Sequence, residues 1–441
     1  MATRRHVHEV DVVRVLTFAC VIAVHTISHV DPPTDFASNS AEMLLHFTRE
    51  AFFCLTGFVL IHQVGNRRIE VRSFWARRFL TVGVPYLTWT VIYTGLEHAS
   101  GRLGSVPSLL SQLGTNILTG TAWYHLYFLL VSMQIYLLFP LISWLVRRTA
   151  GRHTLMLGIS AAVQLATFGY LTYGPPASGW LSLFVAHDDA LLTSYQFYVL
   201  LGAVAAFHLP STVAFVRAHR PAIAAATLGC AALTELWYAL AVHWGRQPAD
   251  AAAVLQPIML PWSVCMIAAL FVLGTCWSDR RRAGSRLDRV LSYGSDRSFG
   301  VFLVHPAVLW LLMRWQPRLL PGPHGASLIA LVYLCTVAGS LAVIELLRRS
   351  PLSLALTGRR PLAGARTPAR HPAAPETEGR EPAHDHNDAL ASGARTQAPH
   401  LGNHDGDRQR VTDPLLRRRR VELQRTDRRD QARLGNLAGD R

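Results

Sequence analysis

The sequence predicts an all-α polytopic membrane protein with about ten transmembrane helices, both termini cytoplasmic and a disordered C-terminal tail. Three observations predict it. The 441 residues are 50% hydrophobic and 16% charged, with a mean hydropathy of +0.22, a balance that is odd for a soluble protein and ordinary for a polytopic one. A window of about 19 residues finds ten apolar stretches, each long enough at 1.5 Å per residue to cross roughly 30 Å of hydrocarbon. Arginines concentrate in alternate loops between those stretches, which orients the chain by the positive-inside rule.

The spans centre near Ala19, Cys54, Pro85, Gln134, Val163, Leu200, Gly229, Met266, Ala307 and Ala338. Arg4 and Arg5 precede the first span, and the second loop holds Arg67, Arg68, Arg72, Arg77 and Arg78. The fourth loop carries Arg147, Arg148 and Arg152, the sixth Arg217 and Arg220, and the eighth Arg280, Arg281, Arg282, Arg286, Arg289 and Arg297. Opposite loops carry only Arg102, Arg246, Arg314 and Arg318. One missed span would scramble this alternation, so count and orientation support each other. The first apolar run has no A-x-A site and reads as a signal anchor that is retained.

Residues 8–350 therefore form the membrane domain. From 361 to 441 the chain is rich in Arg, Pro and Ala with no sustained apolar face, which predicts a disordered cytoplasmic tail. A net charge of +15 would suit nucleic acid, but the arginines follow membrane topology, so the expected partner is the lipid bilayer and no nucleic acid. The six cysteines show neither CxxC spacing nor a pairing pattern. They read as small buried hydrophobes, and no metal site is expected.

Within the first span stand Arg14 and His25. Eleven residues at about 100° each return to within roughly 20° of one helix face, with a rise of about 16 Å. Ionisable side chains in hydrocarbon cost about 2.5–3.5 kcal/mol or more, so such a pair is expected to face a protein interior or a wet pathway. On the second span, running inward from about Met43, Arg49 and Glu50 fall about 10 Å below the outer surface, near the level of His25. His125 with Trp123 at the outer rim of the fourth span, and Glu235 in the seventh, lie in the same half. Their shared depth predicts a pocket open to the outside. On the inner side Arg72, Arg77 and Arg78 crowd the start of the third span at the level of Arg14. Guanidiniums bind phosphate oxygens bidentately, so this cluster suits the phosphates of a donor such as coenzyme A. No Walker loop or dinucleotide fingerprint supports ATP or NAD chemistry.

Several blocks in order resemble the acyltransferase-3 superfamily of bacterial integral-membrane O-acyltransferases. Asp11, Arg14 and His25 resemble its first-helix pattern of Arg, ten residues, His. Phe52-Phe53-Cys54-Leu55-Thr56-Gly57-Phe58 resembles its FFxxSGF block, with Thr56 where Ser is usual. Phe74-Trp75-Ala76-Arg77-Arg78 with Pro85-Tyr86, Trp123 to Leu129, Tyr136 to Pro140, and Ser298 to Pro306 resemble four further signatures. The resemblance covers about residues 8 to 347. Two departures stand out: Thr81 replaces a second arginine that some members carry, and the chain lacks the fused extracytoplasmic SGNH domain of others. Transfer is then completed by the membrane part or handed to a separate extracytoplasmic partner.

The resemblance implies an enzyme of the bacterial cytoplasmic membrane that moves an acyl group, often acetyl, from cytoplasmic acyl-CoA to a hydroxyl of a carbohydrate, envelope polymer or secreted metabolite, with no bound cofactor. Catalytic residues are then His25 as general base or transient acyl carrier, Glu50 to orient it, and Arg14 to grip the donor or stabilise developing charge. Arg14, Arg72, Arg77, Arg78 and His305, placed about 10 Å from the cytoplasmic side, are the expected donor-binding residues; Arg49, His125, Trp123 and Glu235 are the expected acceptor pocket. The alternative class is a transporter or flippase exporting a glycan or acylated intermediate, but no internal repeat or paired interrupted helices mark the two halves. A purely binding or sensory protein leaves the outer His and Glu residues unexplained.

Overall fold

The computed structural model describes residues 7–65, 67, 69–100, 106–319 and 325–362. The chain divides into units 1–369 and 370–441; the expected disordered tail lies, beyond Leu362, outside the described residues, as do Arg4, Arg5, Arg68 and Arg102. Among the described residues every regular element is helical. In chain order they are α1 (His8–Val30), α2 (Phe36–Leu45), α3 (Thr48–Val64), α4 (Val71–Arg78), a π turn (Phe79–Gly83), α5 (Val84–Ala99), α6 (Val106–Thr119), α7 (Tyr127–Arg148) and α8 (His153–Tyr173). There follow α9 (Trp180–Ala186), two 3-10 turns (Asp188–Ala190 and Leu192–Ser194), α10 (Gln196–Phe207), α11 (Leu209–Ala218), α12 (Arg220–His243), α13 (Pro248–Ala251), α14 (Met259–Arg280), α15 (Arg286–Leu319), α16 (Ala326–Leu347) and α17 (Ser353–Thr357).

Among the described residues nine segments are long and apolar enough to cross a membrane, or ten if the bent pair α10–α11 is one span. They coincide with the ten expected from hydropathy. The bend is 96°, and it follows from local chemistry: Pro210 opens α11 and cannot continue the hydrogen-bond ladder of α10. Near the end of α11, Arg217 pairs with Asp279 at the end of α14 at 2.5 Å, so α11 runs along the arginine-rich face. Loops expected on one side meet one another. Arg147 donates to the carbonyls of Gly65 (2.7 Å) and Arg67 (3.1 Å), and Arg220 shares Asp279 with Arg217. On the opposite face the Trp262 indole donates to the Leu44 carbonyl at 3.0 Å, and the Tyr238 hydroxyl to that of Phe36 at 2.9 Å.

Close packing explains one of the sequence blocks. A Cβ on Gly57 would stand 2.2 Å from the Val199 carbonyl oxygen, and one on Gly202 would stand 1.8 Å from that of Cys54. Helices α3 and α10 therefore touch backbone to backbone, which only glycine allows. A proline explains another. Pro140 inside α7 has no N–H for the Tyr136 carbonyl, and the Trp75 indole takes that acceptor at 3.0 Å, tying α4 to α7. The six cysteines are free thiols. Cys230 and Cys265, for which the sequence offers no pairing, stand with sulfurs 3.2 Å apart between α12 and α14.

Candidate active site

A cavity of about 410 Å³ opens on the arginine-rich side, lined by α1, α3, α7 and α15. Arg14 and Arg78 project into it with Gln63, Thr56, Tyr136 and Ser295. Arg14 donates to the Ser295 hydroxyl at 3.2 Å, and that hydroxyl donates to buried Asp11 at 2.7 Å. Asp11 thereby fixes the direction of the guanidinium through an uncharged relay. Arg78 bonds the Gln63 side chain and lies 5.5 Å over the Tyr136 ring, leaving much of its hydrogen-bonding fork free.

Towards the opposite face is a narrow pocket of about 50 Å³, lined by His25, His46, Arg49, Tyr124 and His125 among others. The His25 ring lies 4.3 Å from that of Tyr124 and stacks on His305 at 5.5 Å; His305 in turn lies 5.6 Å from His125. The position of His305 has a local cause. Pro306 removes the N–H that would bond the Phe302 carbonyl, and His305 Nδ1 occupies that acceptor at 2.8 Å. With Nδ1 donating, Nε2 is left as an acceptor; it is buried without a protein partner. The Tyr93 hydroxyl donates to the next carbonyl, Leu303, at 2.7 Å, bracing this turn.

Phe128 and Phe302 line both spaces. With Phe18 and Phe52 they form an aromatic wall whose ring centroids lie 4.9 Å (Phe52 to Phe128), 5.6 Å (Phe128 to Phe302) and 5.7 Å (Phe18 to Phe302) apart. Arg14 and His25 thus stand on opposite sides of a thin apolar partition, on one helix. Arg49 makes the second junction: it lines the His25 pocket and also an outer vestibule of about 260 Å³ containing Asp188, Asp189, Thr172 and Arg246. Its guanidinium pairs with Asp189 at 2.5 Å and sits 5.5 Å over the Tyr127 ring. In the vestibule, burial and the neighbouring Asp189 carboxylate push the Asp188 carboxyl up to about 6.

A family described as an acyltransferase domain matches residues 7–345. The chain belongs to the acyltransferase-3 family. No curated protein and no solved structure matches it. It is therefore a multi-pass membrane acyltransferase, and the match takes in the wall and every lining residue of the two spaces except Gly358 and Arg359 of the inner cavity.

In this acyltransferase the expected residues divide. The structure brings together His25, His125 and Arg49, and separately Arg14 and Arg78. Arg72 and Arg77 are exposed and do not line the inner cavity. His305, expected on the donor side, does not line the arginine-rich cavity: α15 is 34 residues long, so its nineteenth step carries His305 about 28 Å from Arg286, to the level of His25. Glu50 does not line the His25 pocket and makes no hydrogen bond to the imidazole. It is fully buried with both carboxylate oxygens unpartnered, beside Arg49 and Tyr198. Glu235 accepts from Ser40 at 2.5 Å between α12 and α2, away from His25. Trp123 packs on Tyr93 at 4.8 Å behind the pocket. Among the described residues no group of three or more His, Cys, Asp or Glu is arranged to hold a metal.

The sequence does not single out His46, Asp189, Phe18 or Arg359, which also lines the inner cavity, and it gives Phe52, Phe128 and Phe302 only as members of family-like blocks, with no role. His46 has only its closeness in sequence to Arg49 as a signal: it lies in the turn between α2 and α3, three residues before that arginine. Asp189 and Arg359 have none: each reaches its place only by long-range folding.

Proposed function

We propose that this acyltransferase moves an acyl group, acetyl foremost, from acyl-CoA on the cytoplasmic side to a hydroxyl of a carbohydrate or similarly hydroxylated acceptor entering from the outside, in the cytoplasmic membrane of a bacterium. The observation that carries the reading is the pair of chambers that share Phe128 and Phe302 as a common wall. An arginine-lined cavity suits donor phosphates, a slim thioester arm suits passage between phenyl rings, and a histidine pocket suits activation of a hydroxyl.

In the proposed step a ring nitrogen of His25 takes the acceptor proton while the acceptor oxygen bonds the acyl carbon. The carbon–sulfur bond breaks, and the departing thiolate recovers the proton from the imidazolium. Stacking on His305 and Tyr124 holds the His25 ring, the task that the sequence assigns to Glu50. Arg14 grips the donor from the inner side. The vestibule, with carboxylates and guanidiniums that can bond several hydroxyls at once, receives the acceptor.

The test adds labelled acetyl-CoA to the protein in lipid with candidate sugar acceptors and follows coenzyme A release. Acceptor-dependent turnover that is lost in His25→Ala and Arg14→Ala, at normal expression and unfolding temperature, is the expected result. Solute flux with no coenzyme A turnover would overturn the reading in favour of a transporter.

A further inference from the structure

We propose that the segment following the last span folds back over the inner cavity to supply Arg359 as a third phosphate-binding guanidinium, which makes the site select a phosphate-bearing donor over a bare thioester. This rests on the donor side assigned above and adds a residue that no helix of the bundle provides.

The segment is pinned at several points. Ser353 and Thr357 of α17 are buried; Thr357 donates to the Ser353 carbonyl at 2.7 Å, and Ser353 to that of Arg359 at 2.9 Å. The Trp89 indole of α5 donates to the Leu356 carbonyl at 3.0 Å, and the Leu362 amide bonds the Arg348 carbonyl at 3.0 Å. Between these anchors the chain turns at Gly358, with φ of +64°. A Cβ there would meet both the Thr81 carbonyl oxygen and the Phe299 ring at 2.6 Å. Both the backbone conformation and the close approach require glycine. The turn is thereby seated against the π turn of the third span and against α15.

The consequence is that Gly358 and Arg359 line the same cavity as Arg14 and Arg78. Arg359 sits 3.5 Å from Asp296, a carboxylate already held by Arg348 and by Arg297 at 3.1 Å. Its side chain is 49% exposed, and an ion pair that long and that wet contributes little. Arg359 can leave Asp296 for a phosphate at small cost, whereas Asp296 keeps two partners. Around this mouth Arg14, Arg78, Arg297, Arg348 and Arg359 outnumber Asp11, Asp296 and Glu345, so an anion is favoured there. Guanidiniums on separate elements, converging on one cavity, match the separated phosphates of a nucleotide-bearing donor.

The experiment compares acyl-CoA with acyl-pantetheine, which carries the thioester and no phosphate, on the full-length protein in lipid. Arg359→Gln should raise KM for acyl-CoA about tenfold or more and leave KM for acyl-pantetheine within about twofold. Gly358→Ala should act in the same direction by displacing the turn, and Arg359→Lys should restore part of the loss. Arg360→Gln, next in the chain and outside the cavity lining, should change neither donor. Equal effects on both donors, or none on acyl-CoA, would overturn the proposal. Direct binding of adenosine 3′,5′-bisphosphate to wild type and Arg359→Gln is read without turnover. Tighter binding by wild type upholds the inference even where no acyl transfer is found, and equal or absent binding sinks it.

Discussion

The inner cavity and the outer pocket share four helices, α1, α3, α7 and α15, the inner one adding Arg78 of α4, the π turn and Gly358–Arg359, and they differ in much of their chemistry. The inner space is about 410 Å³ and lined by three guanidiniums; the outer is about 50 Å³ and lined chiefly by imidazoles and phenols, its one guanidinium, Arg49, being paired with Asp189. Permanent charge needs water or counter-charge within reach, and the wide inner mouth offers both, through Asp11 and Asp296. An imidazole can shed its charge and therefore tolerates a tight, nearly dry site. On the function proposed above, one bundle grips an anion and handles a proton because an apolar wall keeps the two environments apart.

The largest expected effect separates the two chambers directly. His25→Ala should lower the transfer rate by about 10²–10⁴-fold while adenosine 3′,5′-bisphosphate binding is retained, and Arg14→Ala should weaken that binding. If both variants lose binding equally, the division of labour is wrong. Next comes the wall. Phe302 is 3% exposed, and Phe302→Ala should destabilise by about 3–5 kcal/mol, read by thermal unfolding in lipid; by joining the chambers it should also raise coenzyme A release in the absence of acceptor.

A smaller effect is expected at the outer junction. Asp189→Asn removes a pair whose carboxylate is half exposed, so its stability cost should stay within about 1 kcal/mol, with the change appearing as a raised KM for the acceptor and an unaltered KM for the donor. The smallest concerns pH. The Asp188 carboxyl, raised to about 6 by burial, binds its proton more tightly folded than unfolded. Its contribution to stability is therefore full below its ordinary range near 4 and is lost as pH rises through about 6. Unfolding curves should show Asp188→Asn gaining on wild type between pH 4 and pH 7; a constant difference would place Asp188 in open solvent.

Much of the first helix is legible in the sequence, because Arg14 and His25 share a face by helical periodicity alone and no tertiary contact can change that. Hydropathy misplaces the depth of His305 for an equally plain reason. It locates the apolar centre of α15 and ignores the polar turns from Arg286 to Arg297 that lengthen the helix on the inner side. Glu50 is expected at the depth of His25, yet depth says nothing of azimuth between helices, and its carboxylate is buried outside the His25 pocket. Arg72 and Arg77 share helix α4 with Arg78, and only Arg78 lines the inner cavity.

By itself, then, the sequence determined which segments cross the membrane, which way they run, and which residues share a helix face, since hydrophobicity, charge bias and a repeat of 3.6 are local properties. Tertiary structure alone decided that two chambers meet at Phe128 and Phe302, that Asp189 reaches Arg49, and that Arg359 returns to a cavity begun by Arg14. Those outcomes depend on how helices rotate and pack against one another, and close contacts such as Gly57 on Val199 settle that only when the whole bundle is assembled.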